Sequence, residues 1–351
     1  MALASESLRS RLSEPPLFTH RERRSFARRQ IMIPMVILGS LLILYGCLII
    51  VSLAAPAPLA IIMTVPSGVM IGLLFIVGHD ACHNSLTPSS RLNKIAGRVA
   101  FLPALHSFPL WDLAHNRTHH RNNNVRGWDY VWEPLTASDY RAKGPLSRAL
   151  YRFHRTPVGV PFYYLTNIWA PRLVAARFMK AHQLDTILIV LFAALQIWGV
   201  ITLGGLLGKD PVTSLMTGMV LPFLIWNFLI SFIIFLHHTH PAVRWYASVA
   251  AWEANAGAIG GTAHVRFPWP FGPMVLAIME HNAHHLAPGV PLYNLPDMQS
   301  AMENRLDIVS WRFSWRAYFR ICRRCKLYDY AAGRWVVFNP AYDSGAGGRD
   351  N

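Results

Sequence analysis

Four apolar runs, each long enough to cross a bilayer, constrain this chain more than any other feature. They cover about residues 31–53, 57–77, 186–207 and 212–235, against the roughly 20 residues a membrane helix needs. Runs of that kind must satisfy their backbone groups internally, which a helix does. Within each pair the link is short and nearly uncharged, Ala54-Ala55-Pro56 and Gly208-Lys209-Asp210-Pro211. Short links between helices make antiparallel neighbours. Composition agrees: 53% hydrophobic and 15% charged residues, with mean hydropathy +0.27, are too apolar for a soluble chain of 351 residues.

The net charge of +15 therefore sits outside the spans. It falls in the N-terminal stretch (Arg9, Arg11, Arg21, Arg23, Arg24, Arg28, Arg29), in the middle stretch 79–182 and in everything after 236. The positive-inside rule predicts all three in the cytoplasm, facing anionic lipid. No basic domain stands free of the spans, which argues against a nucleic-acid partner. The expected class is an all-α, multi-pass integral membrane protein. It has four transmembrane helices in two hairpins and a cytoplasmic cap, with both termini on the cytoplasmic side. The expected layout is a basic tail over 1–30, retained because the following apolar run is too long for a signal-peptide core. A membrane domain over 31–300 and a cytoplasmic tail over 301–351 follow, with the Gly-rich 344–351 disordered. Segment 99–111, broken by Pro103 and Pro109, is too short to span and reads as interfacial or re-entrant. The aromatic segment 150–170 reads as interfacial too. Residues 258–273 read as loop and turns, and 274–285 as helix.

Against this apolar background the histidines are clustered. His79 and His83 end the second run, and His115, His119 and His120 follow in the middle stretch. His237, His238 and His240 close the fourth run, and His281, His284 and His285 come last. These clusters hold 11 of the 16 histidines. If the second run continues as a helix, His79 and His83 share a face and can hold one metal ion. No Glu-x-x-His pair and no HExxH occurs. Imidazole suits iron, zinc, copper and nickel, so ligand type leaves the metal open. Cys47, Cys82, Cys322 and Cys325 make no disulfide framework, and the lone Cys322-Arg323-Arg324-Cys325 reads as two reduced thiols.

The order HxxxH (from His79), HxxxHH (from His115) and HxxHH (from His281) resembles the membrane fatty acid desaturase family. The likeness runs over about residues 70–300. Phe235-Leu236-His237-His238-Thr239-His240-Pro241 is similar to the Q-H-T-H-P stretch of delta-12 (omega-6) acyl-lipid desaturases, with His237 in place of Gln. His284-His285-Leu286-Ala287-Pro288-Gly289-Val290-Pro291-Leu292-Tyr293 resembles their H-H-x-x-P-x-I-P-x-Y run. The resemblance implies a di-iron enzyme that uses O2 and two electrons to insert a cis double bond into a long, lipid-linked fatty acyl chain. It implies a separate electron donor, such as ferredoxin or cytochrome b5, since the first 30 residues carry no haem-binding signature. It also makes His79, His83, His115, His119, His120, His281, His284 and His285 ligands, with His238 the ninth.

Pro241 disfavours helical geometry at His240, and His237 is turned about 100° from His238 on a helix. Both are therefore secondary candidates. Asp80, Asp112, Asp129, Glu280, Asn116 and Asn282 lie beside the boxes. Each could orient a ligand, because a ligating His usually donates its other ring N–H to an oxygen. His20, His106, His154, His182 and His264 have no expected metal role. A fatty acyl hydroxylase or related di-iron oxygenase could use the same boxes. A metal transporter with a histidine relay would need ionisable residues within the spans, which hold essentially none.

Overall fold

The computed structural model describes residues 17–172 and 183–339. His182, Arg9, Arg11 and the stretch 344–351 lie outside the described residues. Among the described residues, four helices are long and apolar enough to cross a membrane: Met32–Ala54, Ala57–Cys82, Gln183–Leu206 and Pro211–His238. Each departs from its sequence-based range by only a few residues. The second carries on past Val77 to Cys82, with His83 as its C-cap, so its last turns lift the first histidine pair beyond the apolar run. Between Met216 and Val220 the fourth winds as π-helix before it resumes at Leu221.

The second span is central, packed against the first, the fourth and the helix Ser90–Phe101. Its approach to the fourth depends on Gly68. A Cβ there would lie 2.6 Å from Ile225 Cβ and 2.8 Å from the Pro222 carbonyl oxygen. The two short links meet at one end of the bundle, where Lys209 Nζ donates to the Ala55 carbonyl at 2.6 Å. At the other end lie the histidines. Within the bundle, Gln196 donates to the Tyr45 hydroxyl at 2.7 Å and ties the third span to the first.

Segment 99–111 packs into the protein core. Phe101, Ala104, Phe108, Leu110 and Trp111 are buried, and they wedge between the second span and the second histidine box. Around the two prolines the chain breaks into a 3-10 turn, Leu102–Ala104, and a short helix, Phe108–Trp111. Segment 150–170 is split between a helix (Pro145–His154), a 3-10 turn and a π-helical stretch (Tyr164–Trp169), with Tyr164 and Ile168 in the core. Residues 274–285 are not one helix. Leu276 and Ala277 adopt positive φ, so the third box begins a new helix, His281–Leu286.

The regions expected as tails are built into the cap. Thr19 caps the helix His20–Phe26 in a capping box with Glu22, which also binds Arg305 across the chain at 2.5 Å. Ser310–Arg312 pairs in parallel with His264–Arg266, and Leu327–Asp329 forms a hairpin with Arg334–Val336. Cys322 and Cys325 are buried in an apolar cluster with Tyr318, Ile321 and Phe235.

Candidate metal centre

Each box reaches the centre by a different backbone device. The first box rides on the end of the second span. The second lies on a π-helix, Asp112–His119, in which the His120 N–H reaches back to the His115 carbonyl, 2.9 Å away. That wider i→i+5 winding changes which residues share a face. His115 and His120 turn one way and His119 the other. The third box is a separate short helix, and His238 ends the fourth span with its backbone already leaving helix at Thr239.

Nine histidines converge into two adjacent groups. One holds His79, His83, His115, His120 and His284; the other holds His119, His238, His281 and His285. Within each group the candidate ligand atoms lie within 4.8 Å of one another. The groups touch: the rings of His120 and His285 stack at 4.3 Å. In the first, His115 Nε2 lies 2.7 Å from His79 Nε2 and 3.0 Å from His120 Nε2, which is itself 3.0 Å from His284 Nε2. In the second, His281 Nε2 lies 2.9 Å from His238 Nε2 and 3.1 Å from His285 Nε2.

Hydrogen bonding alone does not account for this. A neutral imidazole nitrogen carries one proton or one lone pair, so His115 Nε2 and His281 Nε2 cannot each serve two neighbours well. Ligand nitrogens about 2 Å from a shared ion sit about this far apart. The outer ring nitrogens support the same reading. His238 Nδ1 donates to the Gly261 carbonyl at 3.1 Å, which leaves Nε2 with its lone pair facing inward. His119 Nδ1 is 3.0 Å from both oxygens of Asp129. Burial holds His115, His120, His281, His284 and His285 well below the usual imidazole range, and their neighbours' charge pushes the same way. The neutral ring is the form that binds metal. Each group could therefore hold one metal ion.

The acids and amides beside the boxes divide sharply. Asp129, fully buried, takes His119 and also accepts from the Asn124 N–H at 2.8 Å and the Val131 N–H at 3.0 Å. Asp80 faces away from the histidines and accepts from Ser85 Oγ at 2.6 Å and the Leu292 N–H at 3.4 Å. Asp112 pairs with Arg117 at 3.3 Å and accepts from Asn116, whose amide also donates to the Cys82 carbonyl. Asn282 donates to Thr262 and to the Ile259 carbonyl, fastening the third box to the preceding loop. Glu280 contributes its carbonyl to the His284 N–H, and burial then Glu303 raise its carboxyl to about 7.

His237 and His240 belong to neither group. His237 stacks on His281 at 3.8 Å, with both ring nitrogens buried and unpartnered. His240 lies flat against Trp311, and its Nδ1 accepts from the Ala242 N–H. His20, His106, His154 and His264 also stand apart; His106 bonds Tyr164 and His264 bonds Glu303. Three participants had not been anticipated: Asn124 and the Gly261 carbonyl on His238, and Trp111 stacked on His115 at 4.7 Å. The one available signal was the run Asn122-Asn123-Asn124 after the second box, since Asn tolerates the positive φ of 59° that Asn124 adopts.

Among the described residues, four helices of membrane-spanning length are crowned by two all-histidine groups, each of which could hold a metal ion. Residues 54–317 match the family model described as fatty acid desaturase, and the chain belongs to that family. It is accordingly an oxidoreductase that desaturates acyl chains. Among its relatives is the sn-1 oleoyl-lipid 12-desaturase of Synechocystis sp., 28% identical over 260 residues, covering 73% of this chain and 72% of that protein. The chloroplastic omega-6 fatty acid desaturase of Arabidopsis thaliana is 26% identical over 270 residues, 75% of this chain and 58% of that protein. An sn-1 acyl-lipid omega-3 desaturase (ferredoxin) of Nostoc sp. is 28% identical over 246 residues, 65% of this chain and 63% of that protein.

Proposed function

We propose that this chain inserts a cis double bond into a long acyl chain carried on a membrane lipid, as a delta-12/omega-6-type desaturase with two iron ions. The observation that carries the reading is the division of nine histidines into a five-membered and a four-membered group with no carboxylate in either. His79, His83, His115, His120 and His284 would hold one iron, and His119, His238, His281 and His285 the other. Bound iron would supply the activation of O2 that an unreactive aliphatic C–H bond requires, chemistry no side chain offers. The protein's own part is to keep His115, His120, His281, His284 and His285 neutral by burial, to fix the proton of His238 on Nδ1 through Gly261, and to hold His119 through Asp129. The packed aromatic wall of Phe75, Phe101 and Trp111 keeps water from the first group.

The Synechocystis relative's name supports the 12-position and the Arabidopsis relative's name the omega-6 position, and an omega-3 enzyme of similar identity makes product analysis the deciding measurement. The electrons would come from a separate carrier, ferredoxin or cytochrome b5; one relative's name includes ferredoxin. All four spans cross the bilayer in this reading, with both termini and the histidine groups on the cytoplasmic side, an orientation that the charge asymmetry supports. A cysteine placed at Ser90 should resist a reagent applied from outside the cell. Expression in a host with simple lipids, followed by fatty-acid profiling, should yield a new cis double bond, and the purified chain should contain about two irons. A hydroxylated product, or one tightly held zinc with no iron after anaerobic handling, would overturn the proposal.

A further inference from the structure

Outside the histidine groups, the densest unabsorbed charge lies on the helix Trp315–Arg324. Its inner face, Tyr318, Ile321 and Cys322, is buried in the cap. The outer face carries Arg316, Arg320, Arg323 and Arg324, all exposed, together with Trp315 at 62% and Phe319 at 49% exposure. The four arginines and Phe319 line an open hollow of about 480 Å³. Among the described residues none of the four has an ion-pair partner.

Where this helix sits decides what faces it. Phe232, inside the fourth span, meets the rings of Phe313 at 5.9 Å, Trp315 at 6.2 Å and Tyr318 at 5.1 Å. Phe232 precedes His238 by six residues, about 9 Å along a helix axis. The arginine helix therefore lies beside the span, not beyond its end, at the depth where hydrocarbon gives way to headgroups. Phe267 stacks on Phe313 at 4.6 Å and leads to a second exposed set, Trp269 at 85% and Phe271 at 57%. Exposed aromatics at that depth favour the bilayer interface, and arginines beside them can reach phosphates while their stems stay in apolar surroundings. An acidic protein would have to reach in beside the span to use the same face.

We infer that the Trp315–Arg324 helix binds anionic phospholipid: Arg316, Arg320, Arg323 and Arg324 take the phosphate-bearing headgroups while Trp315 and Phe319 enter the acyl boundary. This requires only that the four helices cross a membrane, and it holds whatever bond the enzyme makes. The test uses the full chain in nanodiscs of phosphatidylcholine doped with photoactivatable phosphatidylglycerol. Label should map to residues 315–324, and unlabelled phosphatidylglycerol should compete where extra phosphatidylcholine does not.

Changing Arg316, Arg320, Arg323 and Arg324 together to Gln should cut labelling by at least roughly tenfold, since each surface charge contributes separately. The same four changed to Lys should retain most of it, with metal content unchanged in both. If the fourfold Gln variant loses metal, the pair Arg323→Gln and Arg324→Gln carries the test, with a severalfold loss expected. Label elsewhere, equal competition by both lipids, or a Gln variant labelled like the parent would overturn the inference. So would a Gln variant that keeps its lipid but loses turnover only with an acidic electron-carrier protein, since the surface would then serve that partner.

Discussion

Replacing Asp129 by Asn tests the centre at its most tightly specified support. The carboxylate is fully buried and accepts from His119 Nδ1 and from the Asn124 and Val131 N–H groups. Asn has nearly the same shape but one oxygen becomes an NH2. If that NH2 takes the Oδ2 position it faces the Asn124 N–H, 2.8 Å away; at Oδ1 it faces the Val131 N–H, 3.0 Å away. Either way two donors oppose each other, and one backbone N–H loses its acceptor at a cost of about 1–3 kcal/mol. His119 also loses the charge that fixes its ring, and removing such a support typically lowers metal affinity about 10–100-fold. Asp129→Asn should therefore fold with a lower melting temperature, hold less iron at the second group, and give at most about a tenth of the parent's unsaturated product. Iron analysis across a chelator series, together with fatty-acid profiling, measures both. Asp139→Asn is the control, because that carboxylate pairs with Arg126 where both are partly exposed, and such pairs contribute about 0–1 kcal/mol. Parental iron affinity and turnover in Asp129→Asn would refute the support role.

Three further outcomes follow from the same geometry. His238→Ala should lose product and iron while His240→Ala keeps both near the parental level, since His240 rests on Trp311 away from either group; iron loss confined to His240→Ala would reverse the assignment. Gly68→Leu should destabilise the span packing by several kcal/mol, because the added side chain meets Ile225 and the Pro222 carbonyl; detergent melting curves would show it, and an unchanged midpoint would contradict the close approach. The Arg305 hydrogen bond, then the Thr19 cap, holds the Glu22 carboxyl down at about 2 from its usual 4.5. A depressed carboxyl stabilises the fold above its unfolded value and loses that contribution as pH falls toward the folded one. The helix His20–Phe26 should thus exchange hydrogen slowly at pH 7 and loosen between about 4.5 and 2, whereas Glu22→Gln should loosen it already at pH 7.

What the sequence determined by itself was the membrane-length spans and the spacing of the histidines, both of which have local causes. The four spans follow from unbroken apolar length, because a backbone in hydrocarbon must close its own hydrogen bonds. The histidine boxes follow from spacing within single segments; the choice between His238 and His240 stayed open there, and it is the folded geometry that brings His238 to the second group and leaves His240 on Trp311. Only the tertiary structure decided how the nine imidazoles divide between two groups. That division turns on π-helical winding at Asp112–His119, which leaves no mark in the residue pattern. It also alone brought Asn124 to His238 across 114 residues and paired Ser310–Arg312 with His264–Arg266, making part of the cap from an expected tail. Such contacts join distant segments, and their free energy depends on which surfaces meet after the helices have packed. Periodicity along the chain reports the face a residue presents; it carries no record of the partner that face will find.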